Sequence, residues 1–314
     1  MGPNDDAKYV DNNGFTNVAA AYSIFFAKYA ECLCNGSMEQ VPEDWVNIAK
    51  SLKLVYDSNT DYHPNFEGYQ RDELTKQADS VLLGFPLLYE MNPKTRENDL
   101  NIYEKVTRKT GPGMTWAMHT IGVLELDEVE RADKLFTRSY KSYIRQPFKI
   151  WTEAEPPSVS AVNYLTGMGG FLQSIFSGYG GFRLFPEKIL FYKPRLPPNT
   201  TKLQFTGLSY LENIFDVIIE ANKVTISLRE SSHRNYLQVI SGNTTYEFGL
   251  GHDKIELENG EPPITFSVSA EPSSGCPLPV DRINSIYNKQ KSCSGMNSFS
   301  SYIFIGIFFI IKLV

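Results

Sequence analysis

A mainly α fold followed by a small antiparallel β-sandwich is what the sequence predicts, and three observations carry that expectation. Apolar residues recur at helical spacing through the first half, beginning with Val18, Tyr22, Phe25, Phe26, Tyr29 and Leu33. Past about Gly180 the period drops to two, with Leu203 and Phe205, then Val224, Ile226 and Leu228, alternating with polar residues. Helices and strands are segregated along the chain, which implies two domains rather than interleaved βαβ units. With 314 residues, 42% of them apolar, there is enough chain for one large core or two ordinary ones.

Taken in order, residues 2–13 read as a loop, because Gly, Pro, Asn and Asp punctuate it and no apolar period crosses it. A helix follows, with Asn13 or Thr16 as its cap. Pro42-Glu43-Asp44 opens a second helix, with acids in its first turn and Trp45, Ile48, Ala49, Leu52 and Val55 on one face. Residues 62–69 form an irregular aromatic loop, and residues 74–84 enter a helix or a buried turn. Helices are expected near 100–106, as a pair reaching about Tyr143, and over 162–176. Gly167, Gly169 and Gly170 weaken the last of these, so each is expected to pack closely against a neighbouring backbone. Residues 188–192 read as a strand, and turns at 197–199, 221–222 and 241–243 separate the later strands. The boundaries expected are 1–183 for the helical domain, 184–270 for the β domain, 271–301 for a linker and 302–314 for an apolar tail. The Pro/Ser/Asn-rich stretch from Gly260 to Ser301 as a whole reads as linker.

The formal charge of −6 excludes a polyanion partner, since no Lys/Arg stripe is present to receive nucleic acid. Cys32, Cys34, Cys276 and Cys293 make no metal pattern and read as unbridged core thiols. Asn-x-Ser/Thr sequons at Asn35, Asn199 and Asn243 fall in turns or loops and tilt the reading towards a secretory route. The run from Tyr302 to Ile311 is short for a span, which takes about 20 apolar residues. It fits a lipid-anchor signal, with membrane anchoring through the tail as the expectation. No leader-like segment follows Met1, and with a secretory route this suggests that the sequence opens inside a longer protein.

Several blocks carry the chemistry. The opening Gly2-Pro3-Asn4-Asp5-Asp6, with Val10, Asn12, Phe15, Thr16 and Asn17, is the first. Tyr62-His63-Pro64, Lys76-Gln77-Ala78-Asp79 and Gly111-Pro112-x-Met114-Thr115-Trp116 follow, then Trp151-Thr152-Glu153 and the block from Asn163 to Gln173. In that order they resemble glycoside hydrolase family 65. Asp5 stands where the family has Glu and Asp6 where it has Tyr.

The resemblance implies the C-terminal part of an (α/α)6 six-hairpin barrel with a small β domain, and inverting hydrolysis of an α-glucoside without metal or cofactor. It places Asp5 as general acid and Glu153 as general base, with Glu155 as the fallback. Lys76 and Gln77 would hold the glucose, and His63 would line the cleft or bond within its loop. Tyr62, Phe66 and Trp116 would stack on sugar or be core. The branch it points to acts on a collagen-type glucosyl-galactosyl unit or on a disaccharide such as trehalose. Phosphorolysis is disfavoured, because the Gly111–Trp116 segment lacks the hydroxyl cluster that receives phosphate. A surface-anchored glycan-binding remnant is the alternative that the Asp5-Asp6 departure would explain.

Overall fold

The computed structural model describes residues 2–34, 39–158, 160–185, 188–232, 234–249, 253–260, 262–268, 275–279 and 282. These form two compact units: residues 2–171 with the described residues of 275–282, and residues 172–268. The stretch 302–314 and nearly all of 271–301 lie outside the described residues. Among the described residues no helix is long and apolar enough to cross a membrane.

The first unit opens with α1 (Gly14–Leu33), capped as expected: the Asn13 side chain accepts from the Thr16 N–H at 2.9 Å. Its stripe of Val18, Ala21, Tyr22 and Phe25 is buried against α2 (Glu43–Ser51) and Leu83. The predicted face of α2 is corrected. Val46 and Ala49 point inward, whereas Trp45 and Ile48 are 51% and 53% exposed. Both stripes fit a helical period and they share Ala49. Periodicity alone could not separate them, and packing against α1 does.

A 3-10 turn at Ser80–Leu83 is wholly buried. It leads to α3 (Pro93–Val106), which starts earlier than expected because Asn92 caps it and Pro93 takes the first helical position. α4 (Met114–Glu125) is buried along most of its length, and the amphipathic α5 (Val129–Lys141) covers it with Ala132, Leu135 and Phe136. A short hairpin of β1 (Ile144–Arg145) and β2 (Ile150–Trp151) precedes α6 (Leu165–Gln173). Of the three glycines, Gly170 does pack closely: a Cβ there would stand 3.3 Å from that of Ala117 and 3.5 Å from the backbone of Met114. Gly169 faces open space, so its expected contact is absent.

The cysteines require a second correction. Cys32, at the end of α1, is bridged to Cys276, 244 residues away in sequence. Cys34 is exposed rather than a core thiol, and Cys293 lies outside the described residues. The bridging partner is too distant in sequence for spacing to reveal it. Leu278, just beyond the bridge, packs on the α1–α2 cluster.

The second unit begins with the end of α6 and a π-helical turn, Ser174–Tyr179. Strands β3 (Phe182–Leu184), β4 (Ile189–Phe191), β5 (Lys202–Tyr210), β6 (Asn213–Glu220) and β7 (Lys223–Glu230) follow. Then come β8 (Leu237–Ser241), β9 (Thr244–Glu247), β10 (Lys254–Glu258) and β11 (Ile264–Val268). They make two antiparallel sheets, β10-β7-β6-β5 and β3-β4-β11-β8-β9. Inward alternation is plain in β6, where Phe215, Val217 and Ile219 are fully buried. Phe215 stacks on Phe266 of the other sheet with ring centroids 5.0 Å apart. Residues 264–268, inside the expected β domain of 184–270 but in the stretch whose composition reads as linker, form β11, which pairs with both β4 and β8. Its five-residue alternation of Ile264, Phe266 and Val268 is hidden between polar, Pro-rich flanks, and pairing on both sides stabilises it.

Candidate active site

The opening loop has no helix or strand of its own, so its shape comes from the residues that bind it. Asp79, 2% exposed at the start of the 3-10 turn, accepts the Asn4 N–H at 3.1 Å. Both of its oxygens also accept from Asn13 Nδ2, at 3.0 and 3.1 Å. Asn13 therefore works twice, since its Oδ1 caps α1 while its Nδ2 also reaches the Asn65 carbonyl at 2.9 Å. Asn4 Oδ1 accepts the Lys76 N–H at 3.1 Å, and Gln77 donates its side-chain amide to the Pro3 carbonyl. The loop is strapped to residues 76–79 on both sides of Asp5.

That strap delivers Asp5 to Lys76, whose Nζ lies 2.9 Å from Oδ1 and 3.0 Å from Oδ2. Asp6 pairs with Arg108. The hydrogen bond to Asp5 raises the Lys76 pKa, against partial burial, and the charges of Asp5, Glu153 and Asp6 add to it. The Tyr164 phenol is raised chiefly by burial; a bond with Thr166 opposes this, and the Glu153 charge adds to it. Asp5, Lys76, Glu153 and Tyr164 thus feel one another's fields although they are scattered from residue 5 to residue 164.

The backbone of Glu153 is fixed on two sides: its N–H donates to the Ala161 carbonyl at 2.9 Å and its carbonyl accepts from Gly113 N–H at 3.1 Å. Gly111 holds the facing turn close, for a Cβ there would fall 2.2 Å from the Lys76 carbonyl oxygen. Only glycine permits that approach. Among the described residues no group of three or more His, Cys, Asp or Glu could hold a metal ion.

His63, expected to line the cleft or to bond within its loop, is held by Asp99 of α3. It is 1% exposed, its N–H donates to Asp99 Oδ1 at 2.8 Å, and its Nδ1 lies 2.9 Å from Oδ2. The Tyr89 ring meets it edge-on at 5.8 Å. The bond that fixes it comes from α3, outside its own loop. Tyr62, Phe66 and Trp116 are core side chains. Trp116 donates Nε1–H to the Tyr143 hydroxyl at 3.2 Å, under the Arg138 guanidinium. Glu155, the fallback base, turns its charge towards Tyr143, whose phenol is pushed up to about 12, mainly by burial.

Sequence reasoning missed Asp79, Asn4 and Asn13 as the support of the loop. The only available signal was that Asp79 closes the Lys76-Gln77-Ala78-Asp79 block with no role attached. Burial lifts the Asp79 carboxyl to about 6, against the bonds from Asn13 and Asn4 that favour its ionised form. A carboxyl raised on folding binds its proton more tightly in the folded chain, so its contribution is largest at low pH and fades as pH rises through about 6. The stability of the wild-type chain relative to Asp79→Asn is expected to fall by about 2 kcal/mol between pH about 4 and about 7. Urea unfolding across that range measures it, and a difference that stays flat would contradict the assignment.

Residues 185–239 match the model of the "Glycosyl hydrolase family 65, C-terminal domain". Over 249 residues the chain is 42% identical to the protein-glucosylgalactosylhydroxylysine glucosidase of Gallus gallus, covering 79% of this chain and 35% of that protein. It is 29% identical to a kojibiose hydrolase of Mucilaginibacter mallensis, over 64% of this chain and 29% of the relative. The chain thus spans about a third of the length of the curated relatives it matches. A human-microbiome structure described as a kojibiose phosphorylase shares the fold, with a TM-score of 0.61 and 16% identity over 83% of this chain and 42% of that one. Motifs and relatives agree, and the chain belongs to glycoside hydrolase family 65.

Proposed function

We propose that this chain carries the acid and the base of an inverting α-glucoside hydrolase. The observation that carries the reading is the convergence of Asp5, Lys76 and Glu153. An inverting reaction needs two carboxyl groups roughly 6.5–9.5 Å apart, with a water between the base and the anomeric carbon. Glu153 takes a proton from that water as its oxygen bonds to C1. The bond from C1 to the leaving oxygen breaks, and Asp5, which must first take up a proton from solvent and give up its ion pair with Lys76, gives that oxygen its proton. Lys76 stays charged beside Asp5 and can donate to a glucose hydroxyl. The helices of the first unit form part of an (α/α)6 barrel in this reading.

The substrate class is a terminal α-glucose on a collagen-type glucosyl-galactosyl-hydroxylysine, supported by the 42% identity to a glucosidase named for it. Hydrolysis is preferred to phosphorolysis because Gly111-Pro112-Gly113 brings no hydroxyl cluster to the site. Aspartate is one methylene shorter than glutamate, and a misplacement of about 1 Å costs on the order of 10²-fold. Asp5→Glu is therefore expected to raise glucose release by about that factor. Release would be compared on glucosyl-galactosyl-hydroxylysine, kojibiose and trehalose. No release from any of them, by either form, would favour the glycan-binding remnant.

A further inference from the structure

The β unit carries two sequons with a common placement, and the proposed hydrolysis does not use them. Asn199 is exposed in the turn before β5, at φ 59°, with Thr201 also exposed. The Thr200 hydroxyl donates to the Pro197 carbonyl at 2.6 Å and closes that turn. Asn243 is exposed in the β8–β9 hairpin turn, beside Gly242 at φ 58°, and Thr244 and Thr245 are exposed as well. Strand β5 is an outer strand of the four-stranded sheet, as β10 is at the other edge, and β9 is an outer strand of the five-stranded one. Each asparagine thus stands where the chain turns into an outer strand. Such a strand presents unpaired backbone N–H and C=O groups on which other chains can pair.

A separate observation points to the same secretory route. The Cys32–Cys276 bridge belongs to an oxidising environment, which is also where sequons meet the glycosylation machinery. We infer that Asn199 and Asn243 are N-glycosylated, and that their glycans screen the outer edges of β5 and β9. The donor is a lipid-diphosphate-linked oligosaccharide. A bond forms between the asparagine Nδ2 and the sugar C1, and the bond from C1 to the diphosphate oxygen breaks. The amide proton passes to a base and the lipid diphosphate leaves. Bulky, solvated groups at these two turns would keep a second sheet from approaching edge to edge.

The test uses the native protein purified from its own tissue. Amidase release of N-glycans in heavy-oxygen water converts each glycosylated asparagine to a mass-marked aspartate, read by peptide mass spectrometry. The same digest, unreduced, reports the Cys32–Cys276 cross-link. Both peptides are expected to carry the mark, and Asn199→Gln and Asn243→Gln chains from a secretory host each to lose the mass of one glycan. Native protein with both peptides unmarked overturns the inference, and one unmarked peptide overturns the assignment of that residue. Deglycosylated chain is expected to scatter light sooner on concentration than the glycosylated form. Identical scattering would overturn the screening role.

Discussion

If the proposed hydrolysis is right, Glu153→Gln is expected to lower kcat for glucose release by about 10²- to 10⁴-fold, the usual contribution of a positioned general base. The exchange keeps the shape of the side chain and leaves untouched the backbone bonds to Ala161 and Gly113 that hold residue 153 in place. A neutral amide cannot take the proton of the attacking water, so the loss falls on the chemical step. It also removes one of the charges that raise Lys76. Steady-state kinetics with a parallel melting curve separate the two outcomes. A large fall in kcat with an unchanged melting temperature supports Glu153 as base. Activity within a few-fold of wild type would move that role to Glu155 or discard the reaction.

Reduction of Cys32–Cys276, or its replacement by Cys276→Ser, costs the folded chain about 2–5 kcal/mol. The bridge closes a loop of 244 residues, so the unfolded chain it constrains loses much conformational freedom. It also ties the segment bearing Leu278 to the α1–α2 cluster, whose packing should loosen when the tie is cut. Thermal unfolding with and without reductant gives the difference. A transition that does not move on reduction would mean that the bridge contributes nothing to stability.

Much of the local structure was legible in the sequence because the forces that set it act over a few residues. The Asn13 cap lies three residues from the N–H it satisfies, and the alternation of Phe215, Val217 and Ile219 runs along a single strand. The motif blocks singled out Asp5, Lys76 and Glu153 without any view of their neighbours. Where the reading went astray, the deciding partner was remote. The inward stripe of α2 was chosen by α1, and β11 was fixed by strands on either side of it.

The same distinction applies inside the site. Sequence by itself determined the family, the order of helices before strands, and the residue types available for proton transfer. Tertiary structure alone decided that Asp79 would be buried under the opening loop, that Asn4 and Gln77 would strap that loop down, and that Asp5 would meet Lys76. The reason is physical. A buried carboxyl must find its hydrogen bonds wherever the fold offers donors, and here they came from Asn4 and Asn13, 75 and 66 residues away along the chain.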